Sequence, residues 1–273
     1  MKLLCLPSMH QKFLIALLFT LIISMDTSTV WADEVALAEA VNISGRQRML
    51  SQRITKAYFL MAMDVDYLRA KKQRETAIAK FEGSIGQLKK MELPVHVQDE
   101  LKKKELAWQA FRSIAASDIP NKVGAEKLFS LSNVLLERCH SLVLMIEKLN
   151  GDSATNLVNV SGRQRMLSQR IASYYLAYNF GIEKNQTRAG FYSAMDEFEK
   201  AQQFLLASDL NNTEINSGLN KVKLQWNFSK KGFENIDNDV FVPHIISVTS
   251  EKILNKMDEV TYLYESIVEQ RVL

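Results

Sequence analysis

Residues 41–54 read VNISGRQRMLSQRI and residues 158–171 read VNVSGRQRMLSQRI, so thirteen of fourteen positions are identical 117 residues apart. A segment kept almost letter for letter, inside halves that otherwise differ, makes the chain one unit written twice. Any fold must therefore build the same local structure in two places. Weaker echoes keep nearly the same spacing: Tyr58 with Tyr175, Phe81 with Phe198, Trp108 with Trp226, and Glu147 with Glu265. The two units are expected over 33–150 and 151–273. Packed cores accept apolar swaps of similar volume, so core packing alone does not demand the retained Ser, Gly, Arg and Gln. The repeated box marks a site.

Glycine (10) and proline (4) are scarce in 273 residues, which disfavours a turn-dense sandwich or barrel and favours long helices. The punctuation predicts four helices per unit, near 34–67, 70–92, 95–116 and 121–149, then 152–183, 186–208, 212–233 and 241–271. Pro94 and Pro120 stand at breaks, where proline can open a helix but not continue one. Asn150-Gly151-Asp152-Ser153 offers a C-cap glycine followed by an N-cap acid or serine. Short connections imply up-down-up-down packing, and the expected fold is all-α: two tandem four-helix bundles. A composition 47% hydrophobic and 24% charged suits a globular chain, and a net charge of +3 argues against bulk nucleic-acid binding.

Lys2 and Lys12 precede the apolar run Phe13–Ser24, and Val30-Trp31-Ala32 has acceptable residues for cleavage after Ala32. Residues 1–32 are thus expected to be a signal peptide and the mature chain periplasmic. The run is about 12 residues, short of the roughly 20 needed to span a bilayer. No second apolar run of spanning length is expected after it. Removing the leader takes away Cys5 and leaves Cys139 as the only thiol, which cannot form a disulfide framework within the chain.

On a helical wheel of about 100° per residue, Ile43, Leu50, Ile54, Ala57 and Met61 form one face, assigned to the bundle core. Val41, Gly45, Arg48, Met49 and Gln52 lie nearly opposite, as do Val158, Gly162, Arg165, Met166 and Gln169 in the second copy. Arg46 and Arg53 share one flank and Ser44 and Ser51 the other. Glycine inside a helix costs roughly 1 kcal/mol against alanine, so Gly45 and Gly162 are expected to admit the close approach of another backbone or a ligand. An arginine fork suits a planar anion. The end of one bundle lies beside its own start, so the second box helix can run parallel to the first. Arg48 and Arg165 would then surround one shared pocket, with Arg46, Arg163, Gln52 and Gln169 beside them.

Enzyme signatures are absent from the sequence. His96, His140 and His244 are dispersed without metal spacing, and no P-loop, nucleophile elbow or dinucleotide glycine pattern occurs. His140 beside Cys139 reads as a packed helix residue. No catalytic residue, metal or cofactor is expected.

The pattern NxSGRQRMLSQR, at 42–53 and 159–170, resembles the signature of the PilJ-type N-terminal sensing domain of type IV pilus chemoreceptors. That module is related to the periplasmic domains of nitrate/nitrite sensor kinases. In those sensors an arginine of the corresponding box, one from each subunit, holds nitrate at a dimer interface. The resemblance carries that role onto Arg48 and Arg165, with Gly45 and Gly162 alongside. It implies a periplasmic small-anion sensor, nitrate or nitrite being the first ligands to test, in which the tandem copy replaces the homodimer. No signalling module is expected in this sequence, so a membrane receptor or other protein partner is implied. The alternative is a ligand-free helical adaptor for such a receptor or pilus system, its box face being a protein–protein surface.

Overall fold

Each half of the chain forms four helices in succession: α1 (Asp26–Ala62), α2 (Tyr67–Leu88), α3 (Val95–Ala115) and α4 (Lys122–Asn150), then α5 (Ser153–Asn179), α6 (Lys184–Leu206), α7 (Thr213–Phe233) and α8 (Pro243–Val272). The computed structural model describes residues 26–150, 153–233, 236 and 242–272, and no strand occurs among them. Of the expected leader, residues 1–25 lie outside the described residues, and the expected cut after Ala32 falls within the first turns of α1. Gly151 and Asp152, expected caps of the α4–α5 join, also lie outside them.

Helices α1 and α5 stop earlier than the expected residues 67 and 183, and for the same reason. In α1 the Val65 amide donates to Leu60 O (2.8 Å) and the Asp64 amide to Met61 O (3.2 Å). In α5 the Ile182 amide donates to Ala177 O (2.9 Å) and the Gly181 amide to Tyr178 O (3.0 Å). These are Schellman closures, which need a left-handed residue just past the helix. Gly181 takes that place with φ 79° and Asp64 with φ 54°. The duplication thus extends to the turn, although only one copy has the glycine that the turn favours.

Within each half, the first helix lies between the second and fourth, and the third closes against the fourth. Aromatic pairs repeat across the halves: Phe81 stacks on Trp108 at 3.9 Å, and Phe198 meets Trp226 at 4.4 Å. These tie α2 to α3 and α6 to α7 in the two all-α bundles. Helix α4 has an apolar stretch, Lys122–Leu149, long and apolar enough by length and composition to cross a bilayer, contrary to the sequence expectation. Its Leu128, Leu135, Leu142 and Ile146 are fully buried, in a helix packed on α1 and α3.

The most extensive helix pairing joins the halves, α1 against α5. Helix α1 runs antiparallel to α8, since Asn42 bonds Glu265 while Arg53 bonds Glu251. Helix α5 is also antiparallel to α8, through Arg165 with Asp258 and Gln169 with Ser250. The two box helices are therefore parallel. Each is packed on two opposite faces, which accounts for burial of both the Leu50–Ile54 face and the opposite Val41–Met49 face, while the arginine flank stays partly open.

Candidate functional site: the paired box helices

The box face that points away from its own bundle core meets its copy. Arg48 donates from Nη2 to Asn159 Oδ1 (2.7 Å), and Asn159 Nδ2 donates to Glu147 Oε2 (2.7 Å). Arg165 Nη2 donates to Asn42 Oδ1 (2.7 Å), and Asn42 Nδ2 donates to Glu265 Oε2 (2.7 Å). Two relays, arginine to asparagine to glutamate, thus cross the junction in opposite senses. The amide accepts from the cation and donates to the anion, so both charges are satisfied at a distance. Both guanidinium groups are 1% exposed.

The single pocket expected around Arg48 and Arg165 does not form. Asn42 and Arg165 line a cavity of about 580 Å³ on the α8 side. Arg48 lines one of about 360 Å³ on the α4 side, with His140, Arg163, Arg170 and Tyr174. Arginine side chains in a helix point back towards its N-terminus, and each reaches the asparagine of the opposite box rather than its own copy.

The glycines also serve differently from the sequence expectation. A Cβ at Gly45 would stand 3.3 Å from Nη2 of Arg48, and one at Gly162 would stand 3.0 Å from Nη2 of Arg165. The room each glycine leaves is filled by the arginine three residues later in the same helix. Missing side-chain volume here seats the guanidinium, not a second backbone.

Of the other candidates, Arg163 is half-buried, pairs with Glu197 and lines the α4-side cavity. Arg46 is half-buried and lines two cavities on the α8 side. Gln169 Nε2 donates to Ser250 O at 3.1 Å, and Gln52 Nε2 reaches the hydroxyl of Ser51 at 3.3 Å. Both are absorbed in helix packing, and the Gln52 carbonyl accepts from Ser173 (2.9 Å), another tie across the halves. Arg53 holds Glu251 at 2.5 and 3.1 Å, while Lys56, fully buried, holds the same carboxylate at 2.6 Å.

The surroundings of the two arginines differ. Arg165 Nη1 lies 2.5 Å from Asp258 Oδ1. Arg48 Nη1 lies 3.3 Å from His140 Nδ1, and among the described residues no carboxylate stands within ion-pair distance of it. Burial lowers the Arg48 guanidinium to about 9, helped by the positive charges of Arg163 and Arg165. Desolvation also pulls His140 down, to about 4, with Arg48, Arg163 and Arg170 adding to the effect. A neutral ring whose Nδ1 accepts from Arg48 carries its proton on Nε2. Burial lowers Arg165 too, but Asp258 opposes that shift.

Sequence reasoning left Asn42, Asn159, Glu147, Glu265, Asp258 and His140 out of the candidate site. The echo of Glu147 in Glu265 was the available signal. Nothing in spacing alone says that each glutamate receives the asparagine of a box helix.

A family model described as "Type IV pili methyl-accepting chemotaxis transducer N-term" matches residues 31–118 and 145–239, once in each half. No match is found among curated proteins or among solved structures.

Proposed function

Because the chain belongs to the family of type IV pili methyl-accepting chemotaxis transducer N-terminal domains, and so is a chemotaxis-transducer-like sensing or interaction module, we propose that it is an exported sensor of a small planar anion of the nitrate or nitrite class. It acts in the periplasm after loss of residues 1–32 and reports through a chemosensory or receptor protein. The units 33–150 and 151–273 form an intramolecular pseudo-dimer, with Arg48 and Arg165 as the anion-binding arginines, each facing its own cavity.

One observation carries this reading: the opposed Arg48–Asn159–Glu147 and Arg165–Asn42–Glu265 relays at the junction. Buried guanidinium groups are expensive unless their donors are matched, and among the described residues the Nε of both arginines lacks a hydrogen-bond acceptor. An incoming planar anion recovers that cost by accepting from Nε and Nη together. Displacing an asparagine would also release its glutamate and alter the fit of α1 on α5, which is a route from binding to a signal. Titration calorimetry of the full chain with nitrate, nitrite and chloride tests it. Heat is expected with nitrate or nitrite and not chloride, and it is lost in Arg48→Ala and Arg165→Ala. Absence of heat with both oxyanions ends the anion version.

A second reading is favoured by how completely the box is used internally. Each glycine is filled by its own arginine, and each arginine is held by the opposite asparagine. On this reading the box is the glue of a ligand-free adaptor, and a receptor docks elsewhere. Capture of a receptor from a periplasmic extract, indifferent to added anions, supports it.

A further inference from the structure

Helices α4 and α8 hold equivalent positions in the two halves, and Glu147 and Glu265, which end the two relays, fix their register at 118 residues. In that register His140 corresponds to Asp258 and Asn133 to Glu251. On the α8 side, Asp258 neutralises Arg165 and Glu251 neutralises Arg53. On the α4 side, the matching cations are Arg48 and Arg170. They face a histidine, which burial and the surrounding arginines hold neutral, and an asparagine. Arg170 reaches only the phenol of Tyr174 at 3.0 Å, with its guanidinium carbon 5.3 Å from that ring. Among the described residues it has no carboxylate within ion-pair distance.

The halves therefore carry equivalent cavities, of about 360 Å³ on the α4 side and about 370 Å³ on the α8 side, and the arginines of only the second are matched by built-in carboxylates, Asp258 and Glu251. Arg48, Arg163, Arg170, His140, Asn133 and Tyr174 line the first. The acids in reach are Glu137, exposed at the rim, Glu197, already paired with Arg163, and Glu147, which acts on Arg48 only across Asn159. Arg48 is fully buried and its Nε is unmatched. Three guanidinium groups share one recess, and among the described residues two of them have no carboxylate within ion-pair distance, which suits the recess to an anion.

We infer that the cavity between α4 and α5 binds one small organic dicarboxylate, whose two carboxylates take the places that Asp258 and Glu251 fill in the other half. The polar wall is completed by neutral groups able to donate, His140 Nε2 and the Asn133 amide. The inference rests on the sensing reading in placing a ligand at the junction, but it assigns a different anion to a site lined by Arg48 and not by Arg165.

Calorimetry on the full chain uses succinate as the probe, with acetate and nitrate as comparison arms. The expected result is one succinate per chain, bound at least roughly tenfold more tightly than acetate, since the second charge-assisted contact is worth more than about 1.4 kcal/mol. The double variant Asn133→Glu/His140→Asp copies the α8 arrangement. It is expected to remain folded, with unchanged or higher Tm, and to lose succinate binding. Arg170→Gln, at a half-buried position, is expected to weaken succinate about tenfold. No heat with succinate, equal affinity for acetate, or undiminished binding in the double variant overturns the inference. Nitrate heat lost in Arg165→Ala but kept in the double variant, with no succinate heat, leaves the nitrate reading standing and this one refuted. Succinate heat without nitrate heat gives the converse.

Discussion

Asn159 is 8% exposed and Asn42 is 7% exposed, and each spends both ends of its amide on charges that belong to different helices. Replacing Asn159 with leucine removes the acceptor at 2.7 Å from Arg48 and the donor at 2.7 Å to Glu147 together. A buried polar group left unmatched costs about 1–3 kcal/mol, so urea unfolding of Asn159→Leu is expected to show a loss of about 2 kcal/mol or more. The neighbouring His140 supplies a pH prediction. Its folded value of about 4 lies below the ordinary 6.5, so the unfolded chain binds the extra proton between those values. The stability gained by keeping the ring neutral is complete above pH 6.5 and is lost as pH falls towards 4. Comparing Tm against pH for the wild type and His140→Gln isolates this slope, which is expected to be shallower in the variant. Glycine within the box was legible as an anomaly, because a helix interior disfavours it. Its purpose was not, since the atom that fills the space belongs to a side chain whose rotamer depends on the opposite helix.

At the scale of elements, local chemistry explains the turns better than apolar periodicity does. The expected bounds carried α1 to residue 67 and α5 to 183, yet the chain closes at Ala62 and Asn179 through paired Schellman bonds. Gly181 adopts its φ of 79° without steric cost, while Asp64 at 54° bears a Cβ there. Asp64→Gly is expected to stabilise the protein by up to about 1 kcal/mol, the part of the left-handed penalty that exceeds glycine's extra unfolded entropy. Thermal unfolding with a rise in Tm checks it, and an unchanged or lower Tm refutes it. The helical rhythm was visible in Pro94, Pro120 and the Asn150–Ser153 join. Which faces of α1 are covered was not visible, because a helix buried on two opposite faces loses the single stripe that marks the core.

For the whole molecule, the junction depends on α8 as much as on the boxes. Glu251 stands on α8 and grips Arg53 and Lys56 of α1, across the halves. Burial alone would raise its carboxyl, but Lys56 and Arg53 outweigh that and hold it below the ordinary value. Lys56 is itself lowered to about 8, chiefly by desolvation. Removing one member of a buried pair leaves the other charge unmatched, a cost of about 3–5 kcal/mol. Glu251→Ala is expected to lose stability on that scale, and Glu251→Gln less, by denaturant unfolding. By itself the sequence determined the helical class, the doubled unit and the importance of the box, because periodicity, scarce breakers and verbatim repetition are properties of the chain read in order. Only the tertiary structure decided that Arg48 and Arg165 serve separate cavities, that each is held by the other copy's asparagine, and that one side carries its own carboxylates. Those outcomes depend on which residues of α4 and α8 stand opposite the boxes. That register is set by packing between helices roughly a hundred residues apart in the chain, which no local pattern records.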